Sequence, residues 1–219
     1  MGDRISAVLF DIGGVLVALD GIPSLAAFLG VEPHHEPLHA MWMASPSVVA
    51  HETGKIGATE FAAGVVVDLG LPVTADVFLR DFRNWPKRVL PGALELLDEI
   101  PRTYRVAVLS NTSAVHWDSI VAAGLASRFD ETYLSHQIGH LKPATEAFLV
   151  ALEGMKLPPS EVLFLDDGLR NVEAARALGI RGHLAASPEE ARTVLAQYGV
   201  VRSRSRMPRS DIADDPHVD

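Results

Sequence analysis

The sequence predicts an α/β fold, a parallel sheet broken after its first strand by an all-helical insertion. Three observations lead there. Near-continuous apolar runs rich in β-branched residues recur at 5–17, 104–110 and 161–166, with a shorter run at 131–135. Such runs suit strands covered on both faces. Helical patterns separate them, and strands alternating with helices argue for a parallel sheet. Residues 18–87 carry helical apolar spacing around Pro and Gly breaks (Pro23, Pro33, Pro37, Pro46, Pro72) and no strand-like run.

Taken in order, the first run is Ile5-Ser-Ala-Val-Leu-Phe-Asp-Ile-Gly-Gly-Val-Leu-Val17. After the insertion, 91–100 reads as a helix with Pro91 at its first turn. Next come the second strand at 104–110, the short one at 131–135 and a helix over 144–155 ending near Gly154. The last strand at 161–166 leads into a helix over 171–178, with Gly179 as its C-terminal stop. The expected division is a core of 1–17 and 88–202, an insertion of 18–87, and a disordered tail of 203–219 that has little to bury.

Composition narrows the function. The 219 residues are 48% hydrophobic and 21% charged, ordinary for a globular chain. A net charge of −9 argues against nucleic acid and anionic membrane surfaces as partners. The absence of cysteine removes thiol nucleophiles and Cys–zinc sites. With no apolar run of membrane length and no signal peptide, the expected location is the cytoplasm.

Ligands in open α/β sheets bind at the carboxyl ends of strands. The strand ends here carry Asp11, then Ser110-Asn111-Thr112, then Asp166-Asp167, and Lys142-Pro143 precedes a helix. One strand-end Asp is an ordinary cap or turn residue. Carboxylates, a hydroxyl and a lysine at several ends together suggest phosphoryl transfer. Asp11 and Asp167 can hold Mg²⁺, which prefers few carboxylates plus water and phosphate. Asp11 can then attack phosphorus, while Ser110 and Lys142 hold the phosphoryl oxygens.

The order Phe10-Asp-Ile-Gly-Gly-Val-Leu16, Leu109-Ser-Asn-Thr112, Leu141-Lys-Pro143 and Phe164-Leu-Asp-Asp-Gly-Leu-Arg-Asn-Val-Glu-Ala-Ala175 resembles the haloacid dehalogenase (HAD) superfamily over roughly 5–185. The resemblance implies a Rossmann-like parallel sheet core with an inserted all-helical C1 cap domain at 18–87, hinged near 16–21 and 84–91. It implies Asp11 as nucleophile and Mg²⁺ ligand, with the Gly13 carbonyl and Asp167 completing the metal site. Ser110, the Asn111 amide and Lys142 would bind phosphate, with Asp166 and Asn171 behind them. The implied activity is a Mg²⁺-dependent phosphatase forming an aspartyl-phosphate from a small phosphorylated metabolite, as monomer or homodimer.

Phosphatases of this family usually carry an acid–base Asp where this chain has Gly13. General acid–base catalysis contributes roughly 10²–10⁴-fold. The alternative is therefore a catalytically weak member that binds a phosphorylated ligand or a partner protein. A 2-haloacid dehalogenase is less favoured, because Gly13 supplies no aromatic wall for a halide. His51, Lys55 and His116 stand as substitutes for the missing acid. His34-His35 reads as a solvated loop pair, Trp42 with Met41 and Met43 as packing, and Trp117 likewise. Arg83, Lys87 and Arg88 read as a solvated hinge face beside Trp85-Pro86.

Overall fold

The computed structural model describes residues 4–202. The expected tail at 203–219 lies outside them. Strand β1 (Ala7–Phe10) is followed by β2 (Val17–Leu19). Five helices come next: α1 (Gly21–Leu29), α2 (His35–Ala44), α3 (Pro46–Glu52), α4 (Ala58–Asp68) and α5 (Ala75–Phe82). The chain continues through β3 (Pro86–Val89), α6 (Ala93–Glu99), β4 (Arg105–Ser110), α7 (Ala114–Ala122), β5 (Glu131–Leu134) and α8 (Ser135–Ile138). It finishes with α9 (Thr145–Met155), β6 (Val162–Asp166), α10 (Leu169–Ala177), β7 (Arg181–Leu184) and α11 (Pro188–Gln197).

Five strands form one parallel sheet in the order β5-β4-β1-β6-β7. Strand β1 lies at its centre and is wholly buried, which explains the unbroken apolar run. Alternation along β1 sends Val8 and Phe10 into one core layer with Leu96, Val108 and Leu195. Ala7 and Leu9 face the other layer, with Phe148, Ala151 and Phe164. The expected strands and helices are all present. Strand β7, which the sequence did not signal, is Arg-Gly-His-Leu at the sheet edge and pairs on one side with β6.

The expectation of no strand within 18–87 is corrected at both ends of that segment. Strands β2 and β3 pair antiparallel, Val17 opposite Val89 and Ala18 opposite Arg88. The Leu90 N–H donates to Leu16 O at 2.8 Å and the Asp20 N–H to Trp85 O at 2.9 Å, which extends the ribbon at both ends. Lys87 pairs with Asp20 at 3.0 Å. The expected boundaries at 17/18 and 87/88 thus fall inside one two-stranded ribbon, and both linkers belong to it. A sequence scan misses this element because β2 has three residues and β3 begins with proline.

Helices α1–α5 bury their own cluster, built on Leu25, Trp42, Phe61, Phe78, Phe82 and Trp85. Local signals set their ends: the Ser45 hydroxyl accepts from Val48 N–H ahead of Pro46, and the Thr74 hydroxyl accepts from Val77 N–H. Phe78 is fully buried and touches the rings of Phe28, Trp42, Phe61, Phe82 and Trp85. Phe78→Ala should destabilise the protein by about 3–5 kcal/mol, measured by denaturant titration. A loss under about 1 kcal/mol would mean that the cluster repacks around the hole.

Candidate active site

Register assembles the site. Phe10 pairs with Val108 on one side and Leu165 on the other. Asp11, Ser110 and Asp166 therefore emerge together at the carboxyl edge of three adjacent strands. The Asp11 N–H donates to Leu165 O at 2.8 Å and fixes the residue just past β1. Lys142, from the loop between α8 and α9, reaches under this edge. Its Nζ lies 2.8 Å from Asp11 Oδ1 and 2.5 Å from Asp166 Oδ2. Asp11, Lys142, Ser110 and Asp166 are all buried.

The partners separate the roles of the two neighbouring aspartates. Asp166 is engaged at both oxygens: Oδ2 with Lys142, and Oδ1 accepting from Gly168 N–H at 2.7 Å and Asn171 Nδ2 at 2.9 Å. Asp167 lies more exposed, facing the cavity above the sheet edge. The carboxylates of Asp11, Asp166 and Asp167 each place an oxygen within 4.8 Å of the others. Asn111 bridges to the Lys142 peptide, its Nδ2 donating to Lys142 O at 2.9 Å and its Oδ1 accepting from Lys142 N–H at 2.8 Å. Its side chain thus positions the lysine.

Burial pushes the Asp11 carboxyl up to about 6, against the pull of Lys142. Burial raises Asp167 as well, and Asp166 adds to it. Burial alone would lower the Lys142 ammonium, but Asp11 and Asp166 outweigh it and raise its pKa. Three carboxylates against one ammonium leave two uncompensated negative charges in a partly desolvated cluster. A divalent cation cancels that excess, and an all-oxygen donor set suits a hard one.

The loop after β1 is shaped for close approach. Gly14 has φ 73°, and a Cβ there would stand 2.0 Å from Asp167 Oδ2. The loop's pairing uses the Ile12 carbonyl and the Gly14 N–H, not the Gly13 carbonyl. Gly13 itself is outside the left-handed region, and a Cβ on it would meet only the Leu19 side chain, at 2.6 Å. Gly14→Ala should cost about 1–2 kcal/mol of backbone strain and displace Asp167. Its thermal upshift on adding Mg²⁺ should vanish while the apo fold persists. An undiminished shift would remove Asp167 from the cation site.

A cavity of about 390 Å³ opens above the cluster, between the sheet edge and the helices of 21–82. Gly14, Asn111 and Asp167 lie on one side, Trp42, Glu52 and Trp85 on the other, and His35 and His39 also line it. Trp42 is both core and cavity wall. The loop-pair reading of His34-His35 is corrected: His35 opens α2 and stacks on His39 at 5.5 Å. Arg83 and Arg88 are exposed, and Trp117 packs on the sheet core.

The proposed substitutes for a missing acid fare differently. Lys55 is exposed and does not line the cavity. His51 is buried, stacked on Phe61 at 4.2 Å, with Nδ1 3.1 Å from Ile56 O. His116 lines the cavity, but its Nε2 lies 2.8 Å from Phe82 O and burial lowers its pKa to about 4. Sequence reasoning missed Glu52. The Trp42 indole N–H donates weakly to its Oε1 at 3.4 Å, and burial raises its carboxyl to about 7. The available signal was Gly54 two residues on. There φ is 73°, and a Cβ would stand 2.1 Å from His136 O.

A carboxyl raised on folding stabilises the fold below its unfolded pKa, and that stability is lost as pH rises through the folded value. For Glu52 the window is 4.5 to about 7. Glu52→Gln should therefore gain stability relative to the parent as pH rises through this window. The gain is at most about 3 kcal/mol, reduced by the solvent its half-buried carboxylate keeps. Parallel melting curves at pH 4, 6 and 8 measure it, and a constant offset between the two proteins would contradict the shift.

Comparison with known proteins agrees with the site. The profile of the haloacid dehalogenase-like hydrolases matches residues 5–179. A D-ribitol-5-phosphate phosphatase of Bacteroides thetaiotaomicron is 30% identical over 184 residues, spanning 80% of this chain and 89% of its own. A HAD family enzyme of the same organism, solved with magnesium and inorganic phosphate, superposes with TM-score 0.69 at 26% identity, covering 82% of this chain and 93% of that one. A predicted HAD-like family hydrolase of Porphyromonas gingivalis gives TM-score 0.74 at 25% identity, covering 92% of this chain and all of the other. With the family profile spanning four of the five sheet strands and every strand end that carries the buried cluster, the chain belongs to the haloacid dehalogenase-like hydrolases.

Proposed function

We propose that this protein is a Mg²⁺-dependent phosphatase acting on a small phosphorylated metabolite through an aspartyl-phosphate on Asp11. The observation that carries the reading is the buried Asp11–Lys142–Asp166 triad at the sheet edge, with Asp167 beside it and two negative charges left over. Relatives named as a phosphatase, and solved with magnesium and phosphate, support it. Asp11, Asp167 and the Gly13 carbonyl would hold the cation, with Asp166 and Asn171 behind them. The cation, when bound, screens Asp11 from an anionic phosphate.

Asp11 attacks phosphorus with one carboxylate oxygen. Lys142 and the Ser110 hydroxyl hold two of the phosphoryl oxygens, and the Asn111 backbone amide adds a third donor. Helices α1–α5 act as a cap whose cavity wall selects the group attached to the phosphate, with the β2–β3 ribbon as its mount. At about 390 Å³ the cavity suits a sugar phosphate or a molecule of that size. Its mixed lining of Trp42, Trp85, His35 and His39 offers stacking and hydrogen bonds to such a ligand.

A second reading, a phosphate-ester binder with little turnover, draws on Gly13, which places no side chain beside the nucleophile. One experiment separates the two. The wild type should hydrolyse an aryl phosphate with Mg²⁺, lose that activity in EDTA and regain it on adding back the metal. Asp11→Asn should fall to background while remaining folded, since Lys142 keeps its pair with Asp166 and an amide does not attack phosphorus. Retained turnover in Asp11→Asn would overturn the mechanism. Tight phosphate-ester binding without wild-type turnover would favour the second reading.

A further inference from the structure

Expelling an alkoxide from a phosphate ester requires a proton, and the sheet edge has none to give. Lys142 is held by two carboxylates. Asp11 is the attacking group, Asp167 is assigned to the cation, and position 13 is glycine. His116 is neutral at pH 7, and its Nε2 hydrogen is taken by the Phe82 carbonyl. We propose that Glu52, at the C-terminal end of α3, gives the proton to the leaving oxygen and later takes one from the attacking water. The proposal rests on the phosphatase reading above.

Position supports the assignment. Glu52 lines the same cavity as Asn111 and Asp167, on its helical side. Its placement relative to the core is fixed by the turn that follows it. Gly54 lies so close to the His136 carbonyl that no side chain fits between them. His136 in turn lies 2.9 Å through Nδ1 from Thr112 O, in the segment that also carries Ser110 and Asn111. The end of α3 is therefore docked on α8, and His136 of α8 ties it to the loop that binds phosphate in the proposed mechanism.

Chemistry supports it too. Among the described residues no cation pairs with Glu52, and a 3.4 Å indole bond offsets little of the cost of half-burying an ionised carboxylate. Its carboxyl, raised to about 7, is protonated in a substantial fraction at neutral pH and is poised to cycle. The other titratable groups lining the cavity are His35, His39, His116 and Asp167.

The steps balance. An Asp11 oxygen bonds to phosphorus as the phosphorus–ester bond breaks. The released electron pair stays on the leaving oxygen, which takes the Glu52 proton and departs as the alcohol. The Glu52 carboxylate then removes a proton from water as its oxygen bonds to phosphorus. The bond from phosphorus to Asp11 breaks, returning its electron pair to the carboxylate and releasing phosphate. Water is the only co-reactant.

The test uses the full chain with Mg²⁺ and a matched pair of esters, one alkyl and one aryl. Glu52→Gln should lower kcat/KM for the alkyl ester by about 10²–10⁴-fold and for the aryl ester by under about 10-fold. An aryl oxide leaves without a proton, so it needs the acid least. The wild-type decline in alkyl kcat/KM as pH rises through about 7 should disappear in Glu52→Gln. Glu52→Asp should recover part of the loss, because it keeps a carboxyl. Equal losses on both esters, or a rise in KM with the pH profile intact, would overturn the assignment and make Glu52 a binding group. If that happens while wild type turns over and Asp11→Asn does not, the phosphatase reading stands and Glu52 alone falls. Wild type inert on both esters would overturn both.

Discussion

The ammonium of Lys142, wedged between Asp11 and Asp166, is the contact on which the site depends. Removing one partner of a buried ion pair costs about 3–5 kcal/mol, because the remaining charge is left uncompensated. That constraint explains the surrounding hydrogen bonds. Asn111 clamps the lysine's backbone on both sides. Gly168 and Asn171 occupy the Asp166 oxygen that the lysine leaves free. The three strands set the other boundary, since their matched register delivers both aspartates to one level. One positive charge serves two carboxylates, so the cluster retains negative charge and attracts a cation.

Much of this was legible in the sequence, for a physical reason. Strands β1, β4 and β6 are buried on both faces and therefore spelled in continuous apolar runs. Their last residues face the ligand edge, so Asp11, Ser110 and Asp166 can be read by position alone. What stayed hidden depends on pairing across the chain. Strand β7 is short, polar and at the edge, and it is a strand because β6 lies beside it. Glu52 stayed hidden for a similar reason. In sequence it is one more charged residue at a helix end; in space it lines the same cavity as Asp167, more than a hundred positions away in the chain.

The helical segment and the core also differ in kind. The core is a sheet whose geometry follows from hydrogen-bond register. The helical segment is an aromatic cluster in which the rings of Trp42, Phe61, Phe78, Phe82 and Trp85 meet edge-on, tilted or stacked. Trp42 also lines the cavity, so the packing that stabilises this segment shapes the wall a substrate meets. Changes to that wall therefore carry a cost in stability.

The β2–β3 ribbon gives this arrangement a modular character. Because the two linkers are rungs of a single ladder, residues 20 and 85 leave the core side by side, joined by the Asp20–Trp85 backbone bond. Neighbouring antiparallel strands stand about 4.5–5.5 Å apart between Cα atoms. Any substitute whose two ends match that spacing can be spliced onto the same socket without disturbing the register of the five-stranded sheet. The sheet-edge cluster and the cavity wall thus hang on separate scaffolds, with Glu52 the one reacting group proposed on the exchangeable side.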